Sequence, residues 1–194
     1  MHYQIVNINQ ISKQEYRRFF SMMSAEKQKR VNQFRFEKDK KRSVAGEILA
    51  RRMIAACCPV REEEIIFTEN AGGKPFAKDL PIEYNISHSG ELVVCAVSDS
   101  PIGVDIEKMR NIPDTVIRRV CTQREQAYVS EQALDAVQAQ KRFFEIWTFK
   151  EAYFKCMGTG ITDFHSICFF DCPDTLTHES RFLDDYALCI VQTK

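Results

Sequence analysis

Apolar and polar residues alternate over residues 3–8, which predicts a short strand, and over 13–23 Tyr16, Phe19 and Phe20 recur at helical spacing. A second helix is predicted from Ser24. Residues 42–58 continue helically, with Ile48, Leu49, Arg52, Met53 and Ala56 near one face until Pro59 ends the pattern. Residues 64–68 form a short β-branched run, and "NAGGKPF" is a turn in which Gly72 and Gly73 permit positive φ and Pro75 stiffens the chain. The segment "EYNISHSGELVVCAVSDSPIGVDIE" reads as three strands of a meander, punctuated by Ser89-Gly90 and Ser100-Pro101. Thr122 and Glu125 have the spacing of a capping box at the start of one helix. "KRFFEIWTFKEAYFKCMG" is a second helix, stopped by Gly158, and "SICFF" and "YALCIVQ" read as closing strands. Helices mixed with hairpins predict an α+β fold, with a seam at residues 101–103.

The length, 194 residues with 44% apolar, suits one generous domain or two small ones. Lys+Arg and Asp+Glu both number 27, so the overall balance marks neither a nucleic-acid nor a membrane binder. The first residues lack the basic head and apolar run of a signal peptide, and no apolar stretch approaches membrane-spanning length, so the expected location is the cytoplasm. The eight cysteines sit in apolar segments and are expected as buried free thiols. His165, Cys168 and Cys172 are zinc-ligand types, but on a strand His165 would face away from both cysteines, so no zinc site is expected.

Charge is informative locally. Ten cations, from Lys27 and Arg30 through Arg42 to Arg52, crowd residues 24–52 against Glu26, Glu37, Asp39 and Glu47. In "IGVDIEKMR", Asp105 and Glu107 project from one face of a strand with Cα atoms about 6.5–7 Å apart, while Val104 and Ile106 face the other way. Taken alone, that reads as a solvated face. Trp147, Glu151 and Lys155 stack along one face of the last helix, where Glu151 and Lys155 make an ordinary i,i+4 pair and Trp147 suits the core. Three carboxylates brought together would repel one another, a conflict that magnesium shared with substrate phosphates resolves. The basic residues Lys27, Arg30, Arg42, Lys74 and His88 would then anchor the other phosphates of a nucleotide-like ligand.

The ordered set "SAEKQKRVNQF", "GGKPF", "NISHSG", "GVDIE", "WTFKEAYFK" and "YALCIV" resembles the 4′-phosphopantetheinyl transferases, in particular the larger pseudo-dimeric, surfactin-synthetase-activating class. The resemblance implies two similar α+β subdomains, residues 1–101 and 102–194, related by a pseudo-twofold axis with the active site in the cleft between them. The first would bind the phosphates and adenine of coenzyme A, and the second would carry the metal ligands and catalytic helix. It implies transfer of the phosphopantetheine arm of coenzyme A to a serine of an apo acyl or peptidyl carrier protein, with magnesium required and adenosine 3′,5′-bisphosphate released. By motif position Asp105, Glu107 and Glu151 would hold Mg2+, Lys155 would neutralise the pyrophosphate, and Glu151 or a magnesium-bound water would accept the serine proton. Lys27, Arg30, Arg42 and Ser43 match the 3′-phosphate end of the coenzyme A site. Gly73, Lys74 and Pro75 match the loop along the adenine nucleotide, and Ser87 and His88 a phosphate contact.

The stretch between "SICFF" and "YALCIV" is short for this family, which implies a trimmed second subdomain. Acidic carrier proteins would dock on Met109, Arg110, Ile112, Val116, Ile117, Arg118 and Arg119. A pseudo-dimeric chain is expected to act as a monomer. Two other readings stand beside this one. Another magnesium-dependent phosphoryl or nucleotidyl transferase would use the same residues, and a single-stranded nucleic-acid-binding module would use residues 27–52 with Phe34 and Phe36 as stacking platforms.

Overall fold

One arrangement of three strands and a long helix occurs twice along the chain, in units comprising Met1–Asp99 and Ser100–Lys194. The structure is a computed structural model that describes every residue except 71–72, 132–134 and 162. Gly72, expected to allow positive φ, lies outside the described residues.

The first unit opens with β1 (His2–Asn7) and three helices, α1 (Lys13–Met22), α2 (Ala25–Gln33) and α3 (Glu37–Cys57). Ser12 and Glu15 close a capping box on α1, and the Ser24 hydroxyl caps α2 at the backbone N–H of Lys27. A two-stranded ribbon follows, β2 (Phe67–Glu69) with β3 (Pro75–Ala77), then the hairpin β4 (Glu83–Ser89) and β5 (Leu92–Ser98). The sheet runs antiparallel in the order β1-β5-β4. Val93, Cys95 and Val97 on one face of β5 pack against Ala45, Leu49, Met53 and Ile54 of α3. Helix α3 starts five residues before the expected Arg42, with Glu37 and Asp39 in its first turn, where carboxylates favour the helix dipole. Its inward cation is Arg51; Arg52 and Ala56, expected on the apolar face, are exposed.

The second unit contains β6 (Ile102–Lys108), α4 (Asp114–Val120), α5 (Gln123–Val129), α6 (Ala136–Met157), β7 (Leu176–Leu183) and β8 (Tyr186–Thr193). Its antiparallel sheet has the order β6-β8-β7. The expected meander is therefore broken: β4 and β5 form a hairpin, whereas β6 pairs with β8 in a separate sheet. The expected strand over "SICFF" is also absent. Phe164–Ser166 and Phe169–Asp171 are single 3-10 turns that drop Phe164 and Phe169 against the apolar clusters below α6, so the opposed-face argument about His165 has no strand to rest on. The third strand is instead the polar stretch of β7, whose place at the sheet edge leaves much of it in water and hides its period-two pattern. With β7 counted, the second unit has a three-stranded sheet like the first. Of the eight thiols Cys95, Cys121, Cys156 and Cys189 are buried, Cys57 is exposed and the others are half-buried. Burial pushes Cys121 and Cys189 up to about 12, which keeps them protonated and inert.

Candidate active site

Strand β6 is the floor of an acidic centre. Gly103, Asp105 and Glu107 alternate onto the same face, and α6 lies against that face. The approach is close because Gly103 has no side chain: a Cβ there would stand 2.0 Å from the carbonyl oxygen of Ala152 and 2.4 Å from the amide nitrogen of Cys156. Ala152 and Cys156 each follow a residue of the predicted site, so the same contact brings Glu151 and Lys155 down to the strand.

Asp105 is only 3% exposed, which excludes the solvated-face reading. The Lys155 ammonium donates to Asp105 Oδ1 at 2.6 Å and to the Val104 carbonyl at 3.3 Å. Glu151 is pushed up to about 7, first by burial and then by the negative charge of Asp105, with Glu107 adding to the rise and Lys155 opposing it. The four predicted residues thus form one electrostatic group. Lys155, expected to serve the pyrophosphate, pairs with the Asp105 carboxylate. Among the described residues no three His, Cys, Asp or Glu side chains are drawn together as a ready-made metal cage. The donor set nevertheless fits magnesium. It consists of hard carboxylate oxygens, and burial together with the repulsion from Asp105 and Glu107 raises Glu151 towards neutrality, a conflict of like charges that a divalent ion relieves.

Trp147 is packed between Phe143 and Phe164, with ring centroids at 5.7 and 5.8 Å, so it belongs to the core beneath the site. The neighbour of Glu151, Lys150, is fully buried and escaped the sequence reading. Its ammonium meets Glu125 Oε2 at 2.6 Å and the carbonyls of Val120 and Phe164 at 2.9 and 2.8 Å. Glu125 also accepts from the backbone N–H groups of Thr122 and Phe169, each at 2.7 Å. The capping box is real, but its carboxylate doubles as the counter-ion that ties α6 to three other segments. A Thr-x-x-Glu pattern cannot reveal that second duty.

In the first unit, Lys27, Arg30, Arg42, Ser43 and His88 line one cavity of about 300 Å³, together with Phe34, Asp39 and Ile86. Five of the nine expected coenzyme residues therefore meet. Lys27 and Arg30 also border a larger cavity of about 670 Å³, whose wall includes Pro75, Phe67, Tyr84, Glu47 and Arg51. Lys74 lies on a different cavity of about 470 Å³ and pairs with Glu83 at 3.6 Å. Gly73 has φ +78 in the turn closed by its own N–H on the Asn70 carbonyl. Ser87 is buried and alternates away from the face that carries Ile86 and His88, so it does not join the Lys27 group. Several of the cations are already engaged: Arg42 donates to the Gly90 carbonyl and to Asp39 at 2.7 Å, and Lys27 to Glu47 at 2.7 Å.

Met109, Ile112, Val116 and Ile117, considered for carrier docking, pack against the cluster around Phe143 and Ile146, while Arg110, Arg118 and Arg119 are exposed. No described helix is long and apolar enough to cross a membrane.

Known proteins resemble the chain along most of its length. Residues 101–191 match the family model of the 4′-phosphopantetheinyl transferase superfamily, and residues 10–100 match that of the 4′-phosphopantetheinyl transferase N-terminal domain. The chain is 36% identical over 153 residues to a 4′-phosphopantetheinyl transferase of Aneurinibacillus migulanus, an alignment covering 79% of this chain and 63% of the relative. To a 4′-phosphopantetheinyl transferase of Bacillus pumilus it is 35% identical over 176 residues, covering 88% and 73% respectively. For the Bacillus subtilis enzyme Sfp the figures are 34% over 153 residues, 78% and 67%. The matched span is thus about two thirds of these relatives' length, and on these matches the chain belongs to the 4′-phosphopantetheinyl transferase superfamily.

Proposed function

We propose that the protein transfers the 4′-phosphopantetheine arm of coenzyme A to a serine hydroxyl of an apo acyl or peptidyl carrier protein, with magnesium required and adenosine 3′,5′-bisphosphate released. The observation that carries this reading is the convergence of Asp105, Glu151 and Lys155 on the face of β6, inside the span matched by the superfamily model. Asp105, Glu107 and Glu151 would hold Mg2+, which supplies charge neutralisation for the diphosphate and its leaving group.

The chain's own groups do the rest. Lys155 turns its ammonium from Asp105 to a diphosphate oxygen, a short swing for a flexible side chain that is 29% exposed. Glu151, on the face of α6 that meets β6, accepts the serine proton. The serine oxygen then forms a bond to the β-phosphorus, and the bond from that phosphorus to the bridging oxygen breaks, its electron pair leaving with the bisphosphate. Lys27, Arg30, Arg42, Ser43 and His88 hold the 3′-phosphate. Gly73, Lys74 and Pro75 follow the adenine nucleotide, whereas Ser87, buried on the face of β4 opposite His88, takes no part in the cavity that His88 lines. Arg110, Arg118 and Arg119 attract the acidic carrier, while the apolar residues between them hold their own segment in place.

The test is incubation with coenzyme A, Mg2+ and a panel of apo carrier proteins, followed by mass spectrometry of the carriers. The expected result is a phosphopantetheine adduct on one serine, absent when EDTA removes the metal and absent with Asp105→Ala. A panel left wholly unmodified, with coenzyme A cleaved to other products, would assign the site to a different phosphoryl transfer.

A further inference from the structure

Lys27 rests on a charge arrangement that the proposed reaction does not by itself require. Glu47 is 1% exposed and Arg51 3% exposed, both within α3. The two oxygens of Glu47 are divided between Lys27, 2.7 Å from Oε2, and Arg51, whose Nε is 2.7 Å from Oε1. The remaining guanidinium nitrogens of Arg51 donate to the carbonyls of Met22, Glu62 and Ile65 at 3.0, 2.5 and 2.9 Å. Its Cζ also lies 5.0 Å from the Phe67 ring centroid. Lys27, Glu47, Arg51, Met22, Ile65 and Phe67 all border the cavity of about 670 Å³, and Lys27 borders the cavity of about 300 Å³ as well.

A lone Glu47 against Lys27 would cancel the lysine's charge and leave little to attract an anion. With Arg51 on its other oxygen, the three groups carry a formal charge of one plus, and that surplus is presented at Lys27, which is 28% exposed while its two partners are buried. We infer that Arg51 is a positioning residue for ligand binding: it neutralises Glu47 from within the fold, so that Lys27 stays oriented by the carboxylate and still free to hold a phosphate. The inference rests on the assignment of Lys27 to a phosphate of the coenzyme.

Charge bookkeeping makes the test specific. Arg51→Met takes the group from one plus to zero, Glu47→Gln takes it to two plus, and the pair together returns it to one plus. The measurement is the Kd of adenosine 3′,5′-bisphosphate for the full chain, by calorimetry at low salt, with far-ultraviolet circular dichroism on every variant. We expect binding weakened about tenfold or more in Arg51→Met, unweakened in Glu47→Gln, and restored to within about threefold of the original in the double variant, in line with interaction between charges a few ångströms apart. Arg51→Lys, which keeps the charge but not the fork of donors, is expected to bind within about threefold of the original too. If Arg51→Met fails to fold, Glu47→Gln and Arg51→Lys, both of which leave the group around Lys27 with a net positive charge and are expected to keep binding, still decide the matter. Weakening in both Glu47→Gln and Arg51→Lys would reduce the cluster to a structural brace and overturn the inference. Failure of the unaltered protein to bind the bisphosphate would instead overturn the assignment of Lys27 on which it rests.

Discussion

Glu151 shows what a single residue inherits from its surroundings. An exposed glutamate would titrate near 4.5; burial, reinforced by Asp105 and Glu107, carries this one to about 7. Because the folded protein holds that proton more tightly than the unfolded chain, Glu151 adds stability that is full below pH 4.5 and is lost as pH rises towards and through 7. His178 acts with the opposite sign, since burial lowers its imidazole and the folded state then gains stability as that group deprotonates. Comparing variants separates the two. In the absence of divalent ions, thermal unfolding between pH 4.5 and 8 should show the unaltered protein losing more stability with rising pH than Glu151→Gln, and Mg2+ should offset the loss at pH 8 only in the unaltered protein. Parallel curves for the two proteins would mean that Glu151 is not the perturbed group.

At the scale of elements, the joint between β6 and α6 decides whether the acids meet. Gly103 permits the helix backbone to rest on the strand, and the atoms a Cβ would strike are backbone atoms, which cannot rotate aside. Gly103→Ala should therefore separate strand from helix. The expected cost is about 1–3 kcal/mol, the usual range for overpacking, measurable as a lower denaturation midpoint, together with weaker Mg2+ binding by calorimetry. An unchanged midpoint would show that the two elements part without penalty. The sequence carried much of this region: the acidic strand, the capping box at Thr122, and the stop at Gly158, whose left-handed φ of 67 closes α6. What it hid has physical causes. An edge strand such as β7 is wetted on much of its surface and lacks the apolar alternation by which strands are found. The apolar run of "SICFF" satisfies its burial through two tight turns as well as a strand would. Lys150 and Glu125 lie 25 residues apart, and their charges look like surface residues until the fold puts them 2.6 Å from one another.

At the scale of the whole chain, one connectivity serves two chemistries. Each unit places its last strand in the middle of a three-stranded sheet and inserts a long helix, α3 or α6, between its first and second sheet strands. The first strand of the second unit carries Asp105 and Glu107, whereas β1, "HYQIVN", carries no carboxylate. Conversely, α3 provides Arg42, Ser43, Glu47 and Arg51 at cavities in the first unit, while α6 provides Glu151 and Lys155 beside β6. Such a division makes ligand recognition separable by ligand fragment. Adenosine 3′,5′-bisphosphate lacks the diphosphate that the metal would grip, so Asp105→Asn should leave its Kd unchanged within about twofold, as expected for a site built from the other unit's residues. The same substitution should abolish the gain in coenzyme A affinity produced by Mg2+. His88→Ala, in contrast, should weaken both ligands by a similar factor, because both carry the 3′-phosphate. Calorimetric titration of the two ligands against the two variants, with and without Mg2+, gives a complete comparison. Equal losses for both ligands in Asp105→Asn would mean that the acids of β6 and the basic cavity do not divide the ligand in this way.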